Sequence, residues 1–263
     1  MICSRIYYVK KLLQNVTKDC TEAEKEWYNS SVKEQGFKKR KSGESMKFVR
    51  LLLDLIYPPR CMFCHGFLRR DEKAICQSCR ENLPVLEEKN RGISLKGIPR
   101  CTSLFRYEGN VRQAILRYKF HGLSFYNREF AALITENLTD EELACDEVTW
   151  VPLSRKRKRT RSYDQAQLLA EELAAGRNVP CSCLLVKQRD AAPQSGSGGR
   201  EERKANIRDA YRIKQGIDIR GKTILLIDDI VTTGATLEEC AAVLSAAGAA
   251  CVKAATIART DKK

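Results

Sequence analysis

No run of about 18 apolar residues occurs in the 263-residue chain, so the sequence predicts no membrane-spanning helix. The first twenty residues, MICSRIYYVKKLLQNVTKDC, lack an apolar signal core and a small-residue cleavage site, and the chain reads as cytoplasmic. Without a secretion signal, its twelve cysteines argue for metal binding or buried thiols over a disulfide framework. No internal repeat is evident. Apolar residues are not scarce: at 43% they suffice for a sizeable core, which excludes wholesale disorder. The net charge is +14, and it is uneven. Residues 1–60 carry 13 basic and 7 acidic side chains, and residues 146–220 carry 16 and 10. Such an excess favours a polyanionic partner, either nucleic acid or a phosphorylated small molecule.

Residues 1–45 are polar and lysine-rich with no clean period, and read as a disordered basic tail or an upstream start. From Met46 the character changes to MKFVRLLLDLIYPPRC, where 48–57 predicts a short helix stopped by Pro58 and Pro59. With the cysteine-rich stretch that follows, this forms a small module over 46–95. An α/β domain is expected over 96–263. Strands are predicted at 102–107, 148–151, 183–186, 223–228 and 252–257. Helices are predicted from Asn110, around Phe130 to Leu138, over 165–175 with Gly176 as its stop, and over 237–247. Alternation of this kind indicates βαβ units and an open parallel sheet.

The segment 224–236 reads ILLIDDIVTTGAT. A continuous apolar strand runs into two carboxylates, then a Thr/Gly loop, then a helix. A loop at a helix N-terminus presents free backbone N–H groups in a positive potential, which suits an oxyanion. Gly234 lets the backbone come close, and Thr232, Thr233 and Thr236 add hydroxyls. Asp228 and Asp229 suit a neighbouring diol, because a carboxylate accepts from vicinal hydroxyls. Phosphate on the loop and diol on the acids describe a ribose 5-phosphate; the plainer alternative is an ordinary capped strand–turn–helix. The segment resembles the PRPP-binding motif of the type I phosphoribosyltransferases. That resemblance implies that Asp228 and Asp229 hold the ribose hydroxyls, that Val231, Thr232, Thr233, Gly234, Ala235 and Thr236 form the 5′-phosphate loop, and that Mg²⁺ accompanies PRPP.

Two other segments point at the same crevice. Six of the seven residues 155–161 are basic: Arg155, Lys156, Arg157, Lys158, Arg159 and Arg161. At the carboxyl end of a neighbouring strand they suit a pyrophosphate or a nucleic-acid backbone, or form a solvated charge run. Residues 188–209 form a long polar loop, either a lid or a disordered insertion. As a lid it would offer Arg189, Gln194, Arg203 and Asn206 to a ligand.

Cys61, Cys64, Cys76 and Cys79 form CxxC–x11–CxxC. Four thiolates on two short turns can surround one Zn²⁺ tetrahedrally and leave no open position, so the expected site is structural.

A zinc knuckle ahead of such a domain resembles the ComF family, the competence protein F group. The likeness runs from about residue 46 to 260 through LLDLIYPPRCMFC, YEGNVRQAILRYKFHG, VPLSRKRKRTRSYDQA, EERKANIRDAY and ILLIDDIVTTGATLEECAAVL. It implies uptake and handling of single-stranded DNA in natural transformation, with DNA and other DNA-uptake proteins as partners. The alternative is an active Mg²⁺-dependent phosphoribosyltransferase acting on a nucleobase or another nitrogen acceptor. Tyr118, Phe120, Phe125 and Tyr163 are candidate stacking faces, with a core role as the alternative for each. Where the family reads Arg–Gly–Phe–Asn–Gln, this chain has Arg161, Ser162, Tyr163, Asp164 and Gln165. The loss of the glycine and the gain of Asp164 predict an altered turn.

Overall fold

The structure is a computed structural model that describes residues 58–260, apart from 121–122, 124, 155–156, 159–160, 162 and 189–209. The expected tail at 1–45 and helix at 48–57 lie outside the described residues. Every element named below lies within one compact unit, Arg60–Lys263. In chain order these are helices α1 (Gln77–Asn82) and α2 (Glu88–Arg91), strands β1 (Gly92–Leu95) and β2 (Ile98–Arg106), and helices α3 (Gly109–Phe120), α4 (Tyr126–Asn137) and α5 (Asp140–Leu143). They continue with β3 (Glu147–Trp150), α6 (Gln165–Arg177), β4 (Leu185–Lys187), β5 (Tyr211–Ile213), β6 (Thr223–Val231), α7 (Ala235–Ala246) and β7 (Cys251–Arg259). None of the described helices is long and apolar enough to cross a membrane.

The main sheet has the order β1-β2-β7-β6-β3. Its four strands from β2 to β3 are parallel, and β1 closes one edge antiparallel to β2. The sheet is therefore mixed, where the sequence predicts only parallel pairing. The apolar run of β6 has a direct cause. Ile224 and Leu226 pack into one core with α7, while Leu225 and Ile227 pack into the other with α3, α4 and α6. A strand covered on both faces has no reason to alternate.

Two expectations change. The strand expected at 183–186 does not extend the main sheet. It forms at Leu185–Lys187 and pairs antiparallel with β5, so the long polar loop connects the two strands of a separate ribbon. The helix expected to stop at Gly176 runs on to Arg177, and Asn178 closes it at φ 54°. Asparagine tolerates the left-handed region, and its N–H reaches back to the carbonyls of Ala174 and Ala175.

Candidate ribose-phosphate site and cysteine cluster

The helices that follow β3 and β6, adjacent parallel strands, lie on opposite faces of the sheet: α6 packs with Leu225 and Ile227, α7 with Ile224 and Leu226. The connections diverge there, outside the carboxyl ends of the two strands, the place where open α/β sheets form a ligand crevice. Moreover β3 stops at Trp150, opposite Ile227, whereas β6 continues to Val231. On that side Asp228 and Asp229 stand clear of β3. On the other side β6 stays paired, with Asp228 opposite Thr256.

Adjacent residues of a strand point to opposite faces, so the two acids have different neighbours. Asp228 follows Leu226, and its charge reaches Cys101, Cys240 and Tyr211. Asp229 follows Ile227, and its Oδ1 accepts from Lys119 Nζ at 2.8 Å. Those two side chains are only 16% and 13% exposed, so the pair is largely withdrawn from water. The acids remain linked, since the Asp229 N–H donates to Asp228 Oδ1 at 2.8 Å. Burial raises the Asp228 pKa, and the Asp229 charge raises it further.

The loop after the acids is short. Residues 232–234 bend, and α7 begins at Ala235, so Ala235 and Thr236 belong to its first turn. Gly234 caps that helix at φ 83°. A Cβ there would also lie 2.6 Å from Leu95 Cδ2. Leu95 ends β1, and the next residue, Lys96, donates its N–H to Glu238 Oε1 at 3.3 Å. The β1–β2 turn thus packs on the first turns of α7.

Of the basic loop, Arg157 and Lys158 are exposed, Arg161 is half-buried, and Arg155, Lys156 and Arg159 lie outside the described residues. Arg161 donates to Gln165 Oε1 at 2.9 Å, covers the Phe120 ring at 4.7 Å, and lies within reach of the Asp229 charge. Asp164 has a plain role. It caps α6 through the Gln167 N–H and also accepts from the Leu153 N–H at 3.1 Å, which ties both ends of the loop together. Asparagine would cap in the same way, so this departure from the family pattern preserves the helix start. Ser162 and the four lid candidates Arg189, Gln194, Arg203 and Asn206 lie outside the described residues. Of the aromatic candidates, Tyr118 is fully buried and Tyr163 half-buried, while Phe120 and Phe125 are 61% and 46% exposed.

Sequence reasoning misses Lys119. It sits on α3, far from the motif, and nothing in its spacing marks it. Its backbone is firmly held: Gln165 Nε2 donates to the Lys119 carbonyl, Tyr118 Oη to the Gln165 carbonyl at 2.8 Å, and Tyr163 Oη to the Tyr118 carbonyl. A surface depression of about 840 Å³ lined by Glu87, Lys89, Ile93 and Arg100 shares no residue with this site.

The sulfurs of Cys61, Cys64, Cys76 and Cys79 lie within 4.8 Å of one another. That suits one tetrahedral Zn²⁺, whose thiolate bonds are about 2.3 Å long. Burial opposes ionisation of Cys61, but the backbone N–H groups of Cys76, Cys64 and Phe63 outweigh it and lower its pKa to about 7. The cluster is not a free-standing knob. Cys61, Met62, Phe63, Ile75 and Cys79 share the core of Phe105 and Phe130, and Phe63 meets their rings edge-on at 5.7 and 6.1 Å. From α3, Arg117 donates to the carbonyls of Met62 and Phe63.

Comparison with known proteins agrees with both parts. Residues 160–263 match the phosphoribosyl transferase domain, and residues 52–90 match the double zinc ribbon domain. Only four cysteines fall within 52–90, enough for one four-cysteine site. The chain is 30% identical over 234 residues to competence protein ComFC of Streptococcus pneumoniae, covering 82% of this chain and 97% of that one. It is 32% identical over 151 residues to DNA utilization protein YhgH of Salmonella typhi, covering 53% of this chain and 65% of the relative. Glutamine PRPP amidotransferase from B. subtilis, solved with ADP and GMP, aligns at TM-score 0.35 and 20% identity over 51% of this chain and 26% of its own. With a type I phosphoribosyltransferase fold on a mixed sheet, a zinc-ribbon module before it, and similarity to ComFC along most of its length, this chain belongs to the ComF family of competence proteins.

Proposed function

We infer that this chain binds a 5-phosphorylated ribose, PRPP foremost, in the crevice between β3 and β6, and that it serves in handling single-stranded DNA in the cytoplasm during natural transformation. One observation carries the ligand: the acid pair and the Gly234 loop end β6 at the point where the strand connections diverge. The 5′-phosphate belongs on the loop, the diol on the carboxylates, and the diphosphate towards Arg161. Magnesium would arrive on the diphosphate. Asp229 Oδ1 is already held by Lys119, and among the described residues the four cysteines are the one group suited to hold a metal. The four cysteines would keep a structural zinc.

The DNA arm rests on the basic loop and on Phe120, an exposed ring beside Arg161. The names of the relatives, competence protein and DNA utilization protein, agree with it. Transfer of the ribose phosphate to a nitrogen acceptor is the second reading, favoured by the intact acid pair and loop. Calorimetric titration of PRPP with Mg²⁺ tests the pocket: heat is expected from wild type and not from Asp228→Ala with Asp229→Ala. A flat wild-type isotherm removes the ligand. Fluorescence anisotropy with single-stranded DNA at rising salt tests the other arm, and pyrophosphate release with nucleobases separates transferase from binder.

A further inference from the structure

A vicinal diol has two needs. Each hydroxyl donates one proton and also offers lone pairs that want a donor or a cation. Ionised Asp229 answers only the first, since a carboxylate accepts. In the crevice, the second is answered by Lys119. Its ammonium has three N–H donors, and the contact with Asp229 Oδ1 at 2.8 Å uses one of them.

We propose that Lys119 completes the diol clamp as its resident cation, so that a 5-phosphorylated ribose binds without divalent metal; the proposal rests on the ribose-phosphate reading above. Three observations separate this contact from a passing surface ion pair. Both side chains are withdrawn from solvent, at 16% and 13% exposure. The lysine backbone is held by Gln165, and the residues on either side of the turn, Tyr118 and Tyr163, lock the end of α3 to the start of α6. The partner is one of the two acids assigned to the diol, and its charge also lies within reach of Arg161. A carboxylate withdrawn from solvent needs a nearby positive charge, and Lys119 provides it to Asp229 before any ligand arrives. Metal would then accompany only the diphosphate of PRPP.

The test uses ribose 5-phosphate, which carries no diphosphate, in buffer stripped of divalent metal over a chelating resin, with zinc content of the full-length protein checked afterwards. Wild type is expected to bind within about threefold of its affinity in Mg²⁺. Lys119→Met is expected to lose about tenfold or more without metal, the scale of one charge-assisted hydrogen bond, and to recover part of the loss when Mg²⁺ is added. Wild-type binding that requires Mg²⁺ overturns the proposal, as does a Lys119→Met protein with unchanged metal-free affinity. Should Lys119→Met fail to fold, the wild-type comparison alone decides. Wild type that binds in neither buffer overturns the ribose-phosphate reading itself.

Discussion

Replacing Gly234 by alanine tests how the proposed phosphate loop is built. Two separate costs are legible. The backbone stands at φ 83°, in the left-handed region where a Cβ costs about 1–2 kcal/mol. The new Cβ also falls 2.6 Å from Leu95 Cδ2 and 3.1 Å from Leu95 Cδ1. The end of a leucine can swing, so this second cost belongs at the low end of overpacking, about 1 kcal/mol. Together they give about 2–3 kcal/mol. In a domain of this size that lowers the thermal midpoint by roughly 4–12 °C. Urea unfolding of Gly234→Ala, Leu95→Ala and the double variant separates the terms. The double variant should recover about 1 kcal/mol, the steric part, and keep the backbone part. Ribose 5-phosphate affinity should fall in Gly234→Ala and return only partly in the double variant. A Gly234→Ala protein within about 0.5 kcal/mol of wild type would refute the assigned backbone role. Strict additivity in the cycle would refute the Leu95 contact.

Chelating the zinc should lower the stability of the whole α/β unit, because Phe63 stands between the cysteines and the rings of Phe105 and Phe130. Phe63→Ala should cost about 3–5 kcal/mol. Calorimetry showing the main transition unmoved after chelation would contradict both. The pH dependence has a definite sign. Burial, and then the Asp229 charge, raise the Asp228 pKa to about 8, so the folded state holds that proton more tightly than the unfolded chain does. Stability contributed by this group is fully present below the ordinary carboxylate range and is lost as pH rises towards 8. Asp228→Asn should therefore gain on wild type with rising pH, by at most about 1.4 kcal/mol per pH unit, in urea melts between pH 5 and 8. A gain that is constant or shrinks over that range rules the assignment out.

The elements legible in the sequence are those whose signal is local. The inward faces of α3, α4, α6 and α7 follow from helical spacing: Val111, Ile115 and Tyr118, then Phe130 and Ile134, then Ala166, Leu169 and Leu173, then Leu237, Cys240, Ala241 and Leu244 are all buried. The CxxC spacing places the four sulfurs together for the same reason. What the sequence conceals is pairing. Nothing in the short stretches 92–95 and 211–213 says which strand they will meet, so the antiparallel edge and the separate ribbon go unseen. Just before the strand predicted at 183–186, Cys181 makes an isolated parallel bridge to Val148, and among the described residues no ladder to β3 follows from it. Lys119 and Leu95 are hidden in the same way. Each acts on the motif across more than one hundred residues of chain, and no periodicity records such a contact.

Helix α3 joins the two parts that the sequence reads separately. Arg117 and Lys119 are two residues apart, about 200° around the helix, and so reach in opposite directions. Arg117 grips the carbonyls of Met62 and Phe63, inside the first CxxC. Lys119 grips Asp229 at 2.8 Å. A shift of α3 by 1 Å along its axis would carry that second contact towards the limit of hydrogen bonding. The cysteine cluster, seated in the core beside Phe105 and Phe130, fixes the helix against such a shift. A zinc ribbon that served only as an independent reader of nucleic acid would need no buried phenylalanine in this core and no arginine from α3 on its backbone. The packing makes it a brace for the proposed ligand site. Arg117→Met should then weaken ribose 5-phosphate binding from a distance while zinc stays bound.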